Sequence, residues 1–498
     1  MDQIPNEEIK KVNMEFRKED LMLIIPSLLI GYLLQVLVLF GDLSAGIVLF
    51  ECSVYAVTFW YMKRTGIKAD KRGNSLLVCV ALLNIPFILY DYGAFRFVYL
   101  AFLILLTAFQ IYTMLGLRTK SLLSDMFNST VTWTLSNMNC SGHAVRAASK
   151  QGKGRSVLLV LLGLMLSAIV VSVLTFLLMM ADAAFEGMID MISTSVFEEA
   201  SQHIGYFLLG IPFSMIAFGM LYAGRVKRNC NLVKPVEDEK FKLLPTAFVA
   251  AVFIPIVILY ILYIVSQGAY LFSAFSSLLP ENYTYAEYAR RGFFELCGIS
   301  VINILLITVL NVFAKVNGRA SQIFCKAVSA FVCIISLMMI STAIAKMVMY
   351  MNIYGLSVKR IYTTIFMAAI AVIFILVIVK LFAAKFKLIR LTAIVLTVMI
   401  IASSYIDVDR LTAAYNLNAY ENGRLDSFDY YMLLDMSDSA LPYLIEYADE
   451  HHSFDERNIA SIKMERIKDS GLTFTGFNLS TLSALRAIED VHWESPRQ

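Results

Sequence analysis

The sequence predicts an all-α polytopic membrane protein of about eleven transmembrane helices, with a small helical, extracytoplasmic C-terminal domain. Three observations predict it. The 498 residues are 58% hydrophobic and only 16% charged, with a mean hydropathy of +0.68, whereas a soluble chain is about half apolar and about a quarter charged. The apolar residues gather in runs about 20 long, the length that crosses a hydrocarbon core as a helix. The charge is divided: from Asp407 onward there are 17 acidic and 8 basic residues, and before it 22 acidic and 34 basic. That is a basic membrane body with an acidic tail, which excludes a uniformly basic nucleic-acid binder.

Residues 1–20 carry mixed charge and read as a cytoplasmic tail. The run after them is too long for the core of a signal peptide and lacks an A-x-A-like exit, so it reads as a first span. The transmembrane domain is predicted over 21–406. Its spans are Leu21–Phe40, Leu43–Met62, Ser75–Tyr90, Phe97–Leu117, Val157–Ala181, Ile204–Ala223, Leu243–Val265, Gly292–Ala314, Ala327–Ala345, Ile361–Phe382 and Leu388–Ile406. Lys and Arg concentrate in the connections after even-numbered spans. The positive-inside rule then places those connections and the N-terminus in the cytoplasm, and the chain after the eleventh span outside. The connection Asp182 to His203 has five carboxylates and no Lys or Arg. "LLSDMFNSTVTWTL" in the second cytoplasmic loop has the pattern of an amphipathic helix on the membrane surface. The "SKQGKGR" after it suits anionic lipid head groups, since the P-loop spacing is absent.

Residues 407–498 turn soluble and helical, a predicted acidic extracytoplasmic domain. "SFDE" offers a capping box on Ser453 and Glu456, and Gly471 a C′ residue for the helix it starts. The seven cysteines have no metal-ligand spacing and none lies in a predicted outer segment, so no disulfide framework is expected. "DEHHSFDE" has two adjacent histidines without a third ligand at a useful spacing, and no metal or cofactor is predicted. No H-E-x-x-H, G-x-S-x-G or dinucleotide-binding glycine motif occurs in context, and no catalytic residue is assigned.

The candidate site residues lie on the predicted outer rim. In "TYAEYARRGFFEL", Glu287, Arg291 and Glu295 recur every four residues beside Tyr288. Glu295, the deepest, should face the bundle and pair. Lys346, Tyr350 and Tyr354 recur every four residues at the end of the ninth span. Gly355 is expected to end that helix in the left-handed region and Ser357 to cap the next. Lys359 and Arg360 then break two rules, lying on the less basic side and at the positive end of a helix dipole. A nearby anion would resolve both: an Asp or Glu of the acidic tail, such as Asp426 or Asp438, or a lipid phosphate or anionic substrate. Glu51, inside the second span, is an intramembrane acid and a functional candidate or a packing residue. Asn303 and Asn311 read as interhelical hydrogen-bonders.

Three stretches, "YAEYARRGFFEL", "YGLSVKRIYT" and "YNLNAYENGRLDSFDYYMLLDMSDSALPYL", resemble in that order the motifs of an uncharacterised bacterial integral-membrane family. It is a domain of unknown function, of the 4153/4173 group. Ser357 stands where that family usually has Thr, which keeps the capping hydroxyl, and Asp438-Ser439-Ala440 departs slightly from the last motif. The resemblance covers mainly residues 280–445. It implies a bacterial plasma-membrane protein and no reaction. The leading function class is permease-like, or a handler of an anionic lipid or envelope component at the outer leaflet. The next is a sensor or scaffold whose C-terminal domain binds an envelope protein partner. The third is a membrane-embedded enzyme. The bilayer is the expected partner in all three.

Overall fold

In the computed structural model the described residues are all-α apart from a two-residue parallel bridge between Leu244–Pro245 and Ala314–Lys315. They are residues 15–119, 121–150, 181–234, 242–276, 293–315, 318–383, 385–451 and 454–491, with scattered positions between 163 and 180. The bundle begins with α1 (Lys18–Leu39), α2 (Ala45–Thr65), α3 (Lys71–Leu89) and α4 (Arg96–Met114). A short α5 (Leu122–Phe127) follows, then α6 (Ala183–Val226), α7 (Thr246–Ser276), α8 (Phe293–Phe313), α9 (Arg319–Tyr354), α10 (Val358–Phe382) and α11 (Leu388–Ser404). The C-terminal helices are α12 (Val408–Glu421), α13 (Tyr430–Asp435), α14 (Leu441–His451), α15 (Phe454–Ser470) and α16 (Leu479–Glu489).

Nine helices among the described residues are long and apolar enough to cross a membrane, and ten if α11 and α12, bent by 57°, count together. The chain is therefore a multi-pass membrane protein. About half of the predicted fifth span, Val157–Ala181, lies outside the described residues, and its described positions, from 163 to 181, are helical. The expected connection Asp182 to His203 is instead helical backbone from Ala183 onward, continuous with the next span. α9 has 36 residues, about 54 Å at 1.5 Å per residue, against a hydrocarbon core of about 30 Å. The predicted ninth span is only its middle, so Lys346, Tyr350 and Tyr354 ride on an unbroken extension.

Side chains such as Leu259 (61% exposed) and Val265 (78% exposed) would be costly on a soluble protein. On a spanning helix they meet lipid tails. α1 and α6 touch backbone to backbone: a Cβ on Gly31 would lie 2.3 Å from the Gly210 carbonyl oxygen, and one on Gly210 2.6 Å from that of Gly31. Small residues permit that crossing. The Asn303 side chain joins three helices, accepting from Tyr260 Oη at 2.6 Å and donating to Ser336 Oγ at 2.8 Å. Asn311 instead donates to Ile307 O of its own helix at 2.7 Å. The amphipathic segment packs its polar face inward, burying Ser124, Asp125, Asn128 and Ser129, and turns Leu123, Phe127 and Leu135 out.

At one end of the bundle a buried ion pair fixes α1 to α6. Arg225 Nη2 lies 2.6 Å from Asp20 Oδ2, and Tyr61 Oη donates to Asp20 Oδ1 at 2.6 Å. The C-terminal helices sit at the other end. They touch the turns after α1, α3 and α9. Their core includes Leu417, Phe428, Leu433, Leu444 and Tyr447. Lys463, 2% exposed, donates through Nζ to the carbonyls of Leu433 (2.7 Å) and Met436 (2.6 Å), covering the C-terminal carbonyls of α13 as a cation there should. Gly471 ends α15 at φ +60°, as predicted; Ser453 lies outside the described residues.

Candidate functional site

The turn between α9 and α10 is built as the sequence suggests at one end and not at the other. Ser357 caps α10, its Oγ accepting from Arg360 N at 3.4 Å. Gly355 has φ +74° but ψ 176°, an extended conformation open only to glycine rather than the expected left-handed helical one. Arg360 reaches back over the end of α9. Its Nη1 donates to the carbonyls of Gly355 (2.6 Å) and Tyr354 (3.2 Å), and its guanidinium lies 4.1 Å from the Tyr350 ring centre. The negative end of one helix dipole thus neutralises a cation placed at the positive end of the next. Among the described residues no carboxylate pairs with Arg360. Among the described residues, carbonyls and an aromatic face meet the guanidinium in place of the expected acidic side chain. Lys359 is exposed and Lys346 half-buried.

The C-terminal helices dock on the same turn, but through an amide. Asn416 of α12 accepts from Leu356 N at 2.7 Å and donates to Leu356 O at 2.9 Å. It reads the backbone as a neighbouring strand would, so the docking carries no charge. Asp426 is exposed, and Asp438 accepts from Thr481 at 2.6 Å within the C-terminal helices. Tyr288 and Arg291 lie outside the described residues, as does Glu287. Glu295 is exposed in the first turn of α8, where the helix dipole suits a carboxylate. The expectation that it faces the bundle is not met, since its side chain is exposed.

Glu51 faces the bundle. It is 5% exposed and accepts from Thr107 Oγ1 at 3.1 Å. One turn on, Tyr55 Oη donates to Gln110 Oε1 at 3.1 Å, and Gln110 Nε2 to Gly73 O at 3.1 Å. These bonds knit α2, α3 and α4 and lie apart from the turn at Arg360.

A polar cleft of about 330 Å³ opens where α16 and the start of α12 meet the end of α3. Its polar wall carries Asp407, Arg410, Ser439, Tyr443 and Ser480; Leu89 and Leu479 form an apolar wall. Asp407 caps α12, accepting from Arg410 N at 3.0 Å and from Ser439 Oγ at 2.9 Å. Arg410 Nε donates to Tyr443 Oη at 3.3 Å, and its guanidinium stands at the exposed mouth. Below, Asp91 pairs with Arg96, and its backbone N donates to Ser480 Oγ at 2.9 Å. Burial holds the Asp91 and Asp407 carboxyls above the usual carboxylate range. Burial pushes the Lys463 ammonium down to about 8 against the pull of Asp438 and Asp409.

None of the cleft residues is among the sequence-predicted site residues. "DVDR" at the end of the last span was the available signal, since Asp and Arg three apart bracket a helix start. What it lacks is any sign that residues 89–91 and 479–483 come to meet it.

The sequence profile of the family described as Domain of unknown function (DUF4153) matches residues 77–447, most of the chain, including α12, α13 and the first part of α14. No curated protein matches. No solved structure matches.

Proposed function

This chain belongs to the DUF4153 family, and from that premise we propose that it binds the phosphate-bearing head group of an envelope amphiphile. The binding place is the cleft at Arg410, on the extracytoplasmic face of a bacterial plasma membrane. The Lys and Arg bias of the connections supports that orientation, and with it residues 407–498 form an extracytoplasmic domain. One observation carries the reading. The cleft lies at the junction of a membrane span and the C-terminal helices, and joins a guanidinium, a carboxylate and five hydroxyls to an apolar wall. Arg410 supplies the charge for a phosphate. The hydroxyls of Tyr90, Tyr443, Ser480 and Ser483 suit its glycerol or sugar. Arg360, whose Nη1 is engaged by two carbonyls and whose guanidinium lies over the Tyr350 ring, supports the bundle rather than the ligand.

The test is thermal unfolding in neutral detergent with added phosphatidylglycerol or phosphatidylcholine. Binding at 100 times Kd stabilises by about 2.7 kcal/mol. Phosphatidylglycerol should raise the midpoint, and Arg410→Ala should remove that rise without lowering the lipid-free midpoint. Equal responses to both lipids, or a rise that survives Arg410→Ala, would reject the reading.

A further inference from the structure

We propose that a membrane-lipid acyl chain occupies the apolar groove between α2 and the loop over residues 471–478, and that this loop lies in the membrane interface. The groove holds about 530 Å³ and is open on one side, within the range of ligand pockets. Ala45, Val48 and Leu49 of α2 and Ile88 of α3 form its floor. Leu472, Phe474 and Phe477 of the loop form its far wall. No charged side chain lines it.

Two features decide what fills it. The loop's polar groups face the bundle. Thr475 O accepts from Gly46 N at 2.8 Å, an amide in the first turn of α2 that has no acceptor within its own helix. Thr473 Oγ1 donates to Asp42 Oδ2 at 2.6 Å and accepts from Gly476 N at 2.9 Å. The fit leaves no room to slide, since a Cβ on Gly476 would lie 2.6 Å from Asp42 Oδ2. The loop's apolar side chains are left to line the groove, and Phe474 at its rim is 80% exposed. The floor belongs to spanning helices, so the medium beside the groove is the bilayer. An aromatic side chain at the rim of a span is at home at the head-group level, and an uncharged slot below it takes hydrocarbon. This inference rests on the loop and not on the cleft at Arg410.

Phe474→Trp in nanodiscs reads the loop, with the parent protein's tryptophan emission subtracted. The added emission should be blue-shifted, quenched at least twofold by lipids brominated on the upper acyl chain, and insensitive to aqueous iodide. Native mass spectrometry reads the groove. The parent should retain at least one phospholipid after detergent exchange. Val48→Trp, which fills the floor, should cut that retention several-fold with an unchanged unfolding midpoint. Leu49→Trp replaces it if Val48→Trp fails to fold. Val48→Trp should leave the phosphatidylglycerol-induced rise in unfolding midpoint intact, because Val48 lines the groove and not the cleft, which separates this inference from the head-group reading. Iodide quenching without bromolipid quenching overturns the proposal. So does retention of a second copy of the chain, in place of lipid, that the Val48→Trp change disperses.

Discussion

Gly355→Ala tests how the C-terminal helices are held. At φ +74° and ψ 176°, any other residue is strained, by about 1–3 kcal/mol. The added Cβ would also lie 2.5 Å from Asn416 Oδ1 and 3.0 Å from its Cγ. Asn416 must then leave, breaking both hydrogen bonds to Leu356, each worth about 0.5–1.5 kcal/mol net. The two contributions together come to about 2–6 kcal/mol. The assay is thermal unfolding in detergent, paired with limited proteolysis that reads release of α12 to α16. Asn416→Ala alone should cost about 1–3 kcal/mol. In the double variant Asn416→Ala should add almost nothing, because Gly355→Ala has already displaced the clamp. That non-additivity, about 1 kcal/mol or more, is the signature of contact. A Gly355→Ala effect below about 0.5 kcal/mol, or strict additivity, would refute the reasoning.

Three further predictions follow from buried charge. Asp20→Asn should destabilise the opposite end of the bundle by about 3–5 kcal/mol, because it leaves Arg225 buried without its carboxylate; an unfolding midpoint within a degree of the parent would contradict this. Arg360→Ala should cost about 1–3 kcal/mol, and equally at low and high salt, because its partners are carbonyls and a ring; a loss confined to low salt would point back to an anionic partner. Lys463 binds its proton more weakly folded than unfolded. Between pH about 8 and 10.5 the unfolded chain therefore holds more protons, and stability should rise with pH. Lys463→Met should abolish that rise in unfolding measured across the window. Asp91 and Asp407, held high, act oppositely: their contribution is present at acid pH and fades as pH rises through their folded values.

Much of this molecule is legible one residue at a time. Ser357 caps α10 because a hydroxyl before a helix has one good use. Glu51 faces inward because a carboxylate inside a span must. Arg360 shows where such reading stops. Its position breaks two rules, and an anion is the simplest repair that the linear chain offers. The actual repair uses the end of α9, folded back over the same turn, and the ring of Tyr350. Backbone carbonyls have no letter in a sequence, so the partner could not be read there. Asn416 and the cleft at Arg410 escaped for a related reason. Their partners lie about 60 and more than 300 residues away.

The sequence by itself determined the class of molecule, the basic body and acidic tail, and about half of the helix limits. These follow from hydropathy and charge, which act over a turn or a span and leave their period in the chain. Tertiary structure alone decided which faces meet: α1 against α6 at two glycines, α12 on the turn at Leu356, and the loop at Phe474 on the first turn of α2. Those contacts turn on complementary shape and on backbone groups freed at helix ends, and neither is written in residue type or spacing.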